Sequence, residues 1–169
     1  MNSGGPDGEI GASMRYLSQR FTAPNRVCMA VLTDVATEEL GHLEMVSTIV
    51  HQLTANLTVE EIENQGFADY YVDHAVGIWP QSAGGIPFNS CEFQSKGDPI
   101  TDMFESMAAE QKARSTYDNI LRVVRDIPEI ADPIRFLRAR EVVHFQRFGE
   151  ALQSLQDQLN SKNFYQMNP

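Results

Sequence analysis

The chain has 169 residues and the composition of a globular protein, and we expect one domain over residues 1–169 with a substantial core. Its formal net charge of -10 disfavours binding to nucleic acid or to an anionic membrane surface. The sequence has no apolar run approaching the roughly 18 residues of a membrane span, no N-terminal secretion signal, and too few cysteines for a disulfide framework. We therefore expect an intracellular protein that is not secreted through a signal peptide.

Apolar residues spaced three and four apart predict four long helices, at residues 8–22, 25–54, 100–126 and 132–159. Asp98 is a candidate cap for the third helix, and Pro99 lies near its start. The apolar stripes of the second, third and fourth helices contain, in order, Val31, Val35, Val46, Ile49 and Leu53; Met103, Met107, Tyr117, Leu121 and Val124; and Ile134, Leu137, Phe148, Leu152, Leu155 and Leu159.

Residues 55–99 separate the second and third helices and are rich in Gly, Pro, Asn and aromatic residues, including Trp79. A connection this long is expected where two helix hairpins with short loops are joined by one crossover. A short helix is expected within it, at residues 59–65. The predicted fold class is therefore all-α, a ferritin-like four-helix bundle with one long crossover between helices 2 and 3.

Two motifs of the form Glu-x-x-His interrupt the apolar stripes, at Glu39–His42 and Glu141–His144. Each follows a lone glutamate at nearly the same separation, Glu9 for the first and Glu110 for the second. Glu and His three residues apart project from the same face of a helix. Two helices that give a Glu and two that give Glu-x-x-His supply the ligands of a dinuclear metal site inside a bundle.

Pro24-Asn25 and Arg125-Asp126 mark turns about halfway between each lone glutamate and its motif. In an antiparallel helix pair, positions about 15 residues from the turn lie at one height, about 22 Å from it. Carboxylates that meet in an apolar core require positive charge, which two metal cations would supply. The ligands predicted from this pattern are Glu9, Glu39, His42, Glu110, Glu141 and His144. Carboxylates with imidazoles suit manganese or iron, and ligand type does not separate the two metals.

Other acidic and histidine residues near the motifs are predicted to lie outside the site. Glu38, Glu44 and Glu150 fall off the apolar stripes, so we expect them to face solvent or neighbouring subunits. His51 and His74 have no partner motif and are expected to be ordinary structural residues.

Several stretches, in order along most of the chain, resemble the manganese catalases, especially their short spore-coat relatives. They are residues 4–9 (Gly-Gly-Pro-Asp-Gly-Glu), 16–19 (Tyr-Leu-Ser-Gln), 37–45 (Thr-Glu-Glu-Leu-Gly-His-Leu-Glu-Met), 110–114 (Glu-Gln-Lys-Ala-Arg) and 139–144 (Ala-Arg-Glu-Val-Val-His). The likeness is strong around residues 37–45. Ferritins and other di-iron proteins share only the bare skeleton of Glu and Glu-x-x-His.

The resemblance implies a role for each site residue. The implied metal ligands are Glu9, Glu39, His42, Glu110 and His144. Glu39 and Glu110 would bridge two manganese ions, and Glu141 would be an acid and base beside the bridging solvent and not a ligand. Tyr16 would donate a hydrogen bond next to the ligands. The implied reaction is the disproportionation of hydrogen peroxide to water and oxygen.

The chain departs from longer members of the family in two respects. It starts close to the first predicted ligand and stops soon after the fourth helix, without the tail that wraps neighbouring subunits. Exposed helix faces and the long crossover still indicate a homo-oligomer, and the resemblance implies the hexamer of the family. Ala109 stands where some members carry an arginine that gates the site, which implies altered access and weaker turnover.

Three functions remain open at the level of the sequence. The first is a manganese catalase, located in the cytoplasm or the spore coat. The second is a structural spore-coat protein, with other coat proteins as partners, in which the metal stabilises the fold. The third is a di-iron oxidase or ferritin-like iron-storage protein.

Overall fold

The structure, a computed structural model, describes residues 4–5, 8–66, 68 and 88–161, and all regular secondary structure in these ranges is helical. The helices are α1 (Glu9–Gln19), α2 (Arg26–Thr54), α3 (Val59–Asn64), α4 (Pro99–Val124) and α5 (Pro128–Ser161), with 3-10 turns at Arg20–Thr22 and Ser90–Phe93. In the same ranges, no helix combines the length and the hydropathy needed to cross a membrane.

Polar side chains cap the starts of α2, α3 and α4. The side chain of Asn25 accepts a hydrogen bond from the backbone N–H of Cys28 at 2.9 Å, which satisfies an amide in the first turn of α2. Asp98 accepts one from the N–H of Thr101 at 2.8 Å, so its predicted role as a cap is confirmed. A reciprocal capping box at Thr58 starts α3, the short helix predicted in the crossover.

Three features of the helix ends differ from the prediction. Helix α5 begins at Pro128 and not at residue 132, because proline fits the first turn of a helix, where its missing N–H is not needed. Leu53 and Leu159 were expected on buried stripes, but they are 57% and 40% exposed. Both lie close to the C-terminal ends of their helices, where neighbouring helices no longer cover the whole stripe.

Two helix hairpins form the bundle. Helix α1 packs on α2, α4 packs on α5, and contacts between α2 and α5 join the hairpins. The apolar core is divided into two clusters along these helices. One cluster includes Leu32, Val35 and Phe148, and the other includes Ile134 and Leu137. The segments of α2 and α5 between the two clusters carry the Glu-x-x-His motifs, which are therefore placed in the middle of the bundle.

The connection from α2 to α4 is described only in part. Besides α3, it contains the turn at Ser90–Phe93, which packs against α1. Trp79 and His74, which the sequence placed in the crossover, lie outside the described residues.

Candidate metal centre

Six side chains predicted from the motifs meet in the middle of the bundle. Helix α1 contributes Glu9, α2 contributes Glu39 and His42, α4 contributes Glu110, and α5 contributes Glu141 and His144. None of the six is more than 3% exposed. Four carboxyl groups and two imidazoles therefore share one buried volume, as the repeated motif predicts.

Glu39 lies at the centre of this group. One of its carboxylate oxygens is 2.8 Å from Nδ1 of His42, and the other is 2.8 Å from Nδ1 of His144. The two imidazole rings are stacked, with their centroids 5.3 Å apart. Nδ1 of each histidine thus points towards the same carboxylate, so Glu39 is placed between two positions that a cation could occupy.

The remaining carboxylates surround the two Nδ1 atoms. Glu9 lies 3.7 Å and Glu141 3.6 Å from Nδ1 of His42. Glu110 lies 3.4 Å from Nδ1 of His144. The group whose donor atoms all fall within 4.8 Å of one another consists of Glu39, His42, Glu141 and His144.

Two tyrosines hold the flanking glutamates from opposite sides. Tyr16 of α1 donates a hydrogen bond to Oε1 of Glu110 in α4, and Tyr117 of α4 donates one to Oε1 of Glu9 in α1. The sequence prediction included Tyr16 but placed Tyr117 only in an apolar stripe. A signal was present, because Tyr117 follows Glu110 by the same number of residues as Tyr16 follows Glu9.

Burial and mutual repulsion shift the pKa values of the carboxyl groups. Burial, with the charge of Glu39 beside it, raises the pKa of Glu9 to about 8. Burial and the neighbouring carboxylates also raise the pKa values of Glu110 and Glu141. Glu39 behaves in the opposite way. Burial alone would raise its pKa, but the close contacts with the imidazoles of His144 and His42 outweigh burial and lower the pKa to about 2.

The histidines are shifted by the same charges. Burial disfavours the imidazolium ion, but the carboxylates outweigh it. They raise the pKa of His42 to about 9 and that of His144 to about 10. In the protein without metal, protons on the imidazoles therefore supply the positive charge of the cluster at neutral pH. Metal ligands must release such protons, so divalent cations would take their place.

Unpaired polar atoms support this interpretation. Among the described residues, the buried side-chain atoms without a hydrogen bond of standard geometry include Oε2 of Glu110 and Oε1 of Glu141, and also Oε1 of Glu39 and Nδ1 of His144, which face each other at 2.8 Å. Buried polar groups are normally satisfied, and several unsatisfied acceptors in one place indicate an ion. Carboxylate oxygens with one imidazole for each position fit manganese and iron. The residues present therefore fit a dinuclear cofactor.

Glu38 does not simply face solvent, as the sequence prediction had it. Its side chain is 29% exposed, and it binds Arg140 of α5 and lies against both histidines. Glu38 lies beside the apolar stripe and reaches the site from its edge, so the stripe does not predict this position. Glu44 and Glu150 are exposed, as expected, and His51 is exposed on α2.

A small cavity reaches the carboxylates from the α1–α4 side. Its lining includes the small side chains Ala12, Ala109 and Ala113 together with Arg15 and Tyr16. The volume of the cavity is about 10 Å³, which is close to the minimum that holds one water molecule. Arg15 is 1% exposed, so this chain places a buried cation beside the cavity even though Ala109 precedes Glu110.

The comparisons with known proteins agree on one family. A family model described as manganese containing catalase matches residues 2–164. The chain is 44% identical to Protein CotJC of Bacillus subtilis (strain 168) over 162 residues, which are 96% of this chain and 85% of that protein. It is 30% identical to a probable manganese catalase of Clostridium acetobutylicum over 161 residues, which are 95% of this chain and 71% of that protein.

A solved structure extends the agreement to three dimensions. Wild-type KatB, a manganese catalase from Anabaena, matches with a TM-score of 0.81 and 30% identity, over 99% of this chain and 74% of that one. The predicted all-α, ferritin-like bundle is thereby confirmed. The chain therefore belongs to the manganese-containing catalase family, as a manganese catalase-like protein whose cofactor is a pair of manganese ions.

Proposed function

We propose that this protein disproportionates hydrogen peroxide to water and oxygen at its dimanganese site. The observation that carries the proposal is the buried group of four carboxyls and two imidazoles, centred on Glu39. Two adjacent manganese ions supply the two-electron redox chemistry that a peroxide disproportionation needs. Oxygen-rich, anionic ligands favour the harder, higher oxidation state of such a metal.

The proposed ligands are Glu9, Glu39, His42, Glu110 and His144. Glu39 would be shared by the two ions, a role supported by its two oxygens, which each face a different histidine. Glu110 would be the second shared carboxylate, and the hydrogen bond from Tyr16 holds it in position.

Glu141 is proposed as the acid and base that moves protons for the bound peroxide. In the protein without metal, burial, followed by the charges of Glu110 and Glu39, raises the pKa of Glu141, which supports a carboxyl that can hold a proton. A protonated carboxyl beside the reacting oxygens can donate that proton and take one back in the second half of the cycle. The small, alanine-lined cavity beside the carboxylates supports a small substrate and disfavours larger reductants.

Elemental analysis of the purified protein, combined with oxygen evolution from peroxide, tests this function. We expect two manganese ions per chain and steady oxygen release. Glu39→Gln and His144→Ala should lose the metal, because each removes a donor from the centre of the site. Glu141→Gln should keep the metal and lose turnover. If Glu141→Gln emptied the site as thoroughly as Glu39→Gln, Glu141 would be a ligand.

A structural spore-coat protein stabilised by its metal is the second candidate. The observation that favours it is the 44% identity to CotJC, compared with 30% to the probable manganese catalase. It predicts two bound manganese ions without turnover. Iron retained on purification, with ferroxidase activity, would instead support the di-iron alternative.

The assembly and the location belong to the same proposal. We infer a homo-oligomer, with a hexamer as the expected size, located in the cytoplasm or in the spore coat beside other coat proteins. Support comes from the similarity to CotJC and from large apolar side chains that are exposed on a single chain, among them Phe21, Val123 and Phe136. Mass measurement in solution and immunolabelling of spores test the two parts separately.

A further inference from the structure

The two histidines have a second face that the metal-site assignment does not use. Their Nδ1 atoms point to Glu39, whereas their Nε2 atoms point to Glu38. Oε1 of Glu38 is 3.6 Å from Nε2 of His42, and Oε2 is 3.2 Å from Nε2 of His144. One carboxylate thus faces both imidazoles, with one oxygen directed to each.

Arg140 fixes the orientation of this carboxylate. Its Nε donates to Oε1 of Glu38, and its Nη2 donates to Oε2 at 3.1 Å. A two-point contact between guanidinium and carboxylate restrains both the position and the rotation of the carboxyl group. Because Glu38 belongs to α2 and Arg140 to α5, the contact also joins the two helices that carry the histidines.

The chemistry of a metal-bound imidazole requires an acceptor at this place. When Nδ1 of a histidine binds a metal, Nε2 carries the proton and becomes a hydrogen-bond donor. Both Nε2 atoms are buried, and neither has a hydrogen bond of standard geometry to any described residue. Within the described ranges, the carboxylate recorded within 4 Å of either Nε2 is that of Glu38.

We propose that Glu38, held by Arg140, is a positioning residue that accepts the Nε2–H of both metal-binding histidines and thereby couples the two metal positions. The proposal rests on the ligand assignment under Proposed function, and it goes further by giving both metal positions one shared support. A carboxylate acceptor fixes the tautomer and the ring orientation of a ligating histidine and increases its basicity. With a single acceptor for two histidines, a change at Glu38 must affect both metals at once.

Glu38→Gln is the direct test, because glutamine keeps the shape but has only one acceptor oxygen and no charge. We expect its manganese affinity to fall about 10- to 100-fold, as is typical when a partner of a metal-binding histidine is lost. Glu44→Gln is the matched control, since Glu44 is an exposed glutamate on the same helix, and its affinity should equal that of the wild type. Arg140→Gln keeps the carboxylate of Glu38 but removes the guanidinium that holds it, so the loss of manganese affinity should be intermediate.

Electron paramagnetic resonance at half-saturating manganese separates a positioning role from a merely structural one. Wild-type protein should show spin-coupled pairs of manganese ions, because binding of the first ion orders the Glu38 carboxylate that also positions the histidine of the second ion. Folded Glu38→Gln should show isolated ions under the same conditions. If folded Glu38→Gln and Arg140→Gln both kept wild-type affinity and spin-coupled pairs, the proposal would be wrong. Wild-type protein that binds two manganese ions without evolving oxygen would overturn the proposed function and leave this inference intact.

Discussion

Two tyrosines show how single residues stabilise a buried carboxylate cluster. Tyr16 and Tyr117 donate hydrogen bonds in a crossed arrangement, each from the helix of one lone glutamate to the lone glutamate of the other. Both phenol rings are fully buried. A buried carboxyl oxygen without a donor is costly, so each hydroxyl compensates part of the desolvation of the carboxyl that it contacts.

Tyr117→Phe is therefore expected to lower both stability and metal affinity. The change removes the donor to Glu9 and leaves a buried carboxyl oxygen unsatisfied, at a cost of about 1–3 kcal/mol in the free energy of unfolding. Denaturant unfolding and manganese titration measure the two effects. Tyr16→Phe is the matched comparison, because it removes the equivalent donor to Glu110. Unchanged unfolding of Tyr117→Phe would show that the hydroxyl does not stabilise Glu9.

The sequence predicts the six core residues of the site because their spacing sets their helix face and height. It missed Glu38 and Tyr117 for different reasons. Glu38 reaches the histidines from beside the stripe, and its position depends on Arg140 of another helix, which no periodicity within α2 reports. Tyr117 lies on an apolar stripe and therefore reads as a core aromatic residue, because the sequence does not show that its hydroxyl contacts Glu9.

At the scale of the helices, the apolar stripes predict which segments are helical better than they predict which side chains near the helix ends are buried. The predicted and observed limits of α2 and α4 nearly coincide, because proline and capping residues mark them. Burial at a helix end depends instead on how far the neighbouring helix extends. Leu53 keeps the regular spacing of the stripe, but its side chain is 57% exposed. Leu137 of α5, in contrast, is completely buried in a cluster with Tyr117 of α4.

Substitution of these two leucines by alanine tests that distinction with identical chemistry. Leu137→Ala should destabilise the protein by about 2–5 kcal/mol, because it leaves a cavity in a packed cluster. Leu53→Ala should cost less than about 1 kcal/mol, since most of its surface is already in water. Denaturant unfolding of a monomeric or dissociated preparation supplies both values. Equal losses would show that Leu53 is packed within the folded chain and not exposed.

At the scale of the whole molecule, the metal site makes folding depend on pH. The unfolded pKa of a glutamate is near 4.5, and that of Glu9 in the fold is about 8. Because the pKa of Glu9 is raised, this residue contributes its full stabilisation to the metal-free protein below pH 4.5. That contribution is lost as the pH rises through 8. His42 and His144, with pKa values of about 9 and 10 in place of 6.5, act in the same direction. Glu39 acts in the opposite direction, but only below its unfolded value.

Removal of manganese should therefore destabilise the protein more at pH 9 than at pH 6. Bound cations replace the protons of the cluster, so the loaded protein does not carry the penalty of ionising Glu9 in a buried, acidic core. Manganese at about 100 times its dissociation constant adds about 2.7 kcal/mol, which raises the Tm of a domain of this size by at least about 5 °C. Thermal unfolding of loaded and chelator-treated protein at the two pH values gives the comparison. Glu44→Gln, which alters an exposed carboxylate outside the cluster, should reproduce the wild-type difference at both. A Tm difference that narrowed towards pH 9 would mean that protons do not compete with the metal for these carboxylates and imidazoles.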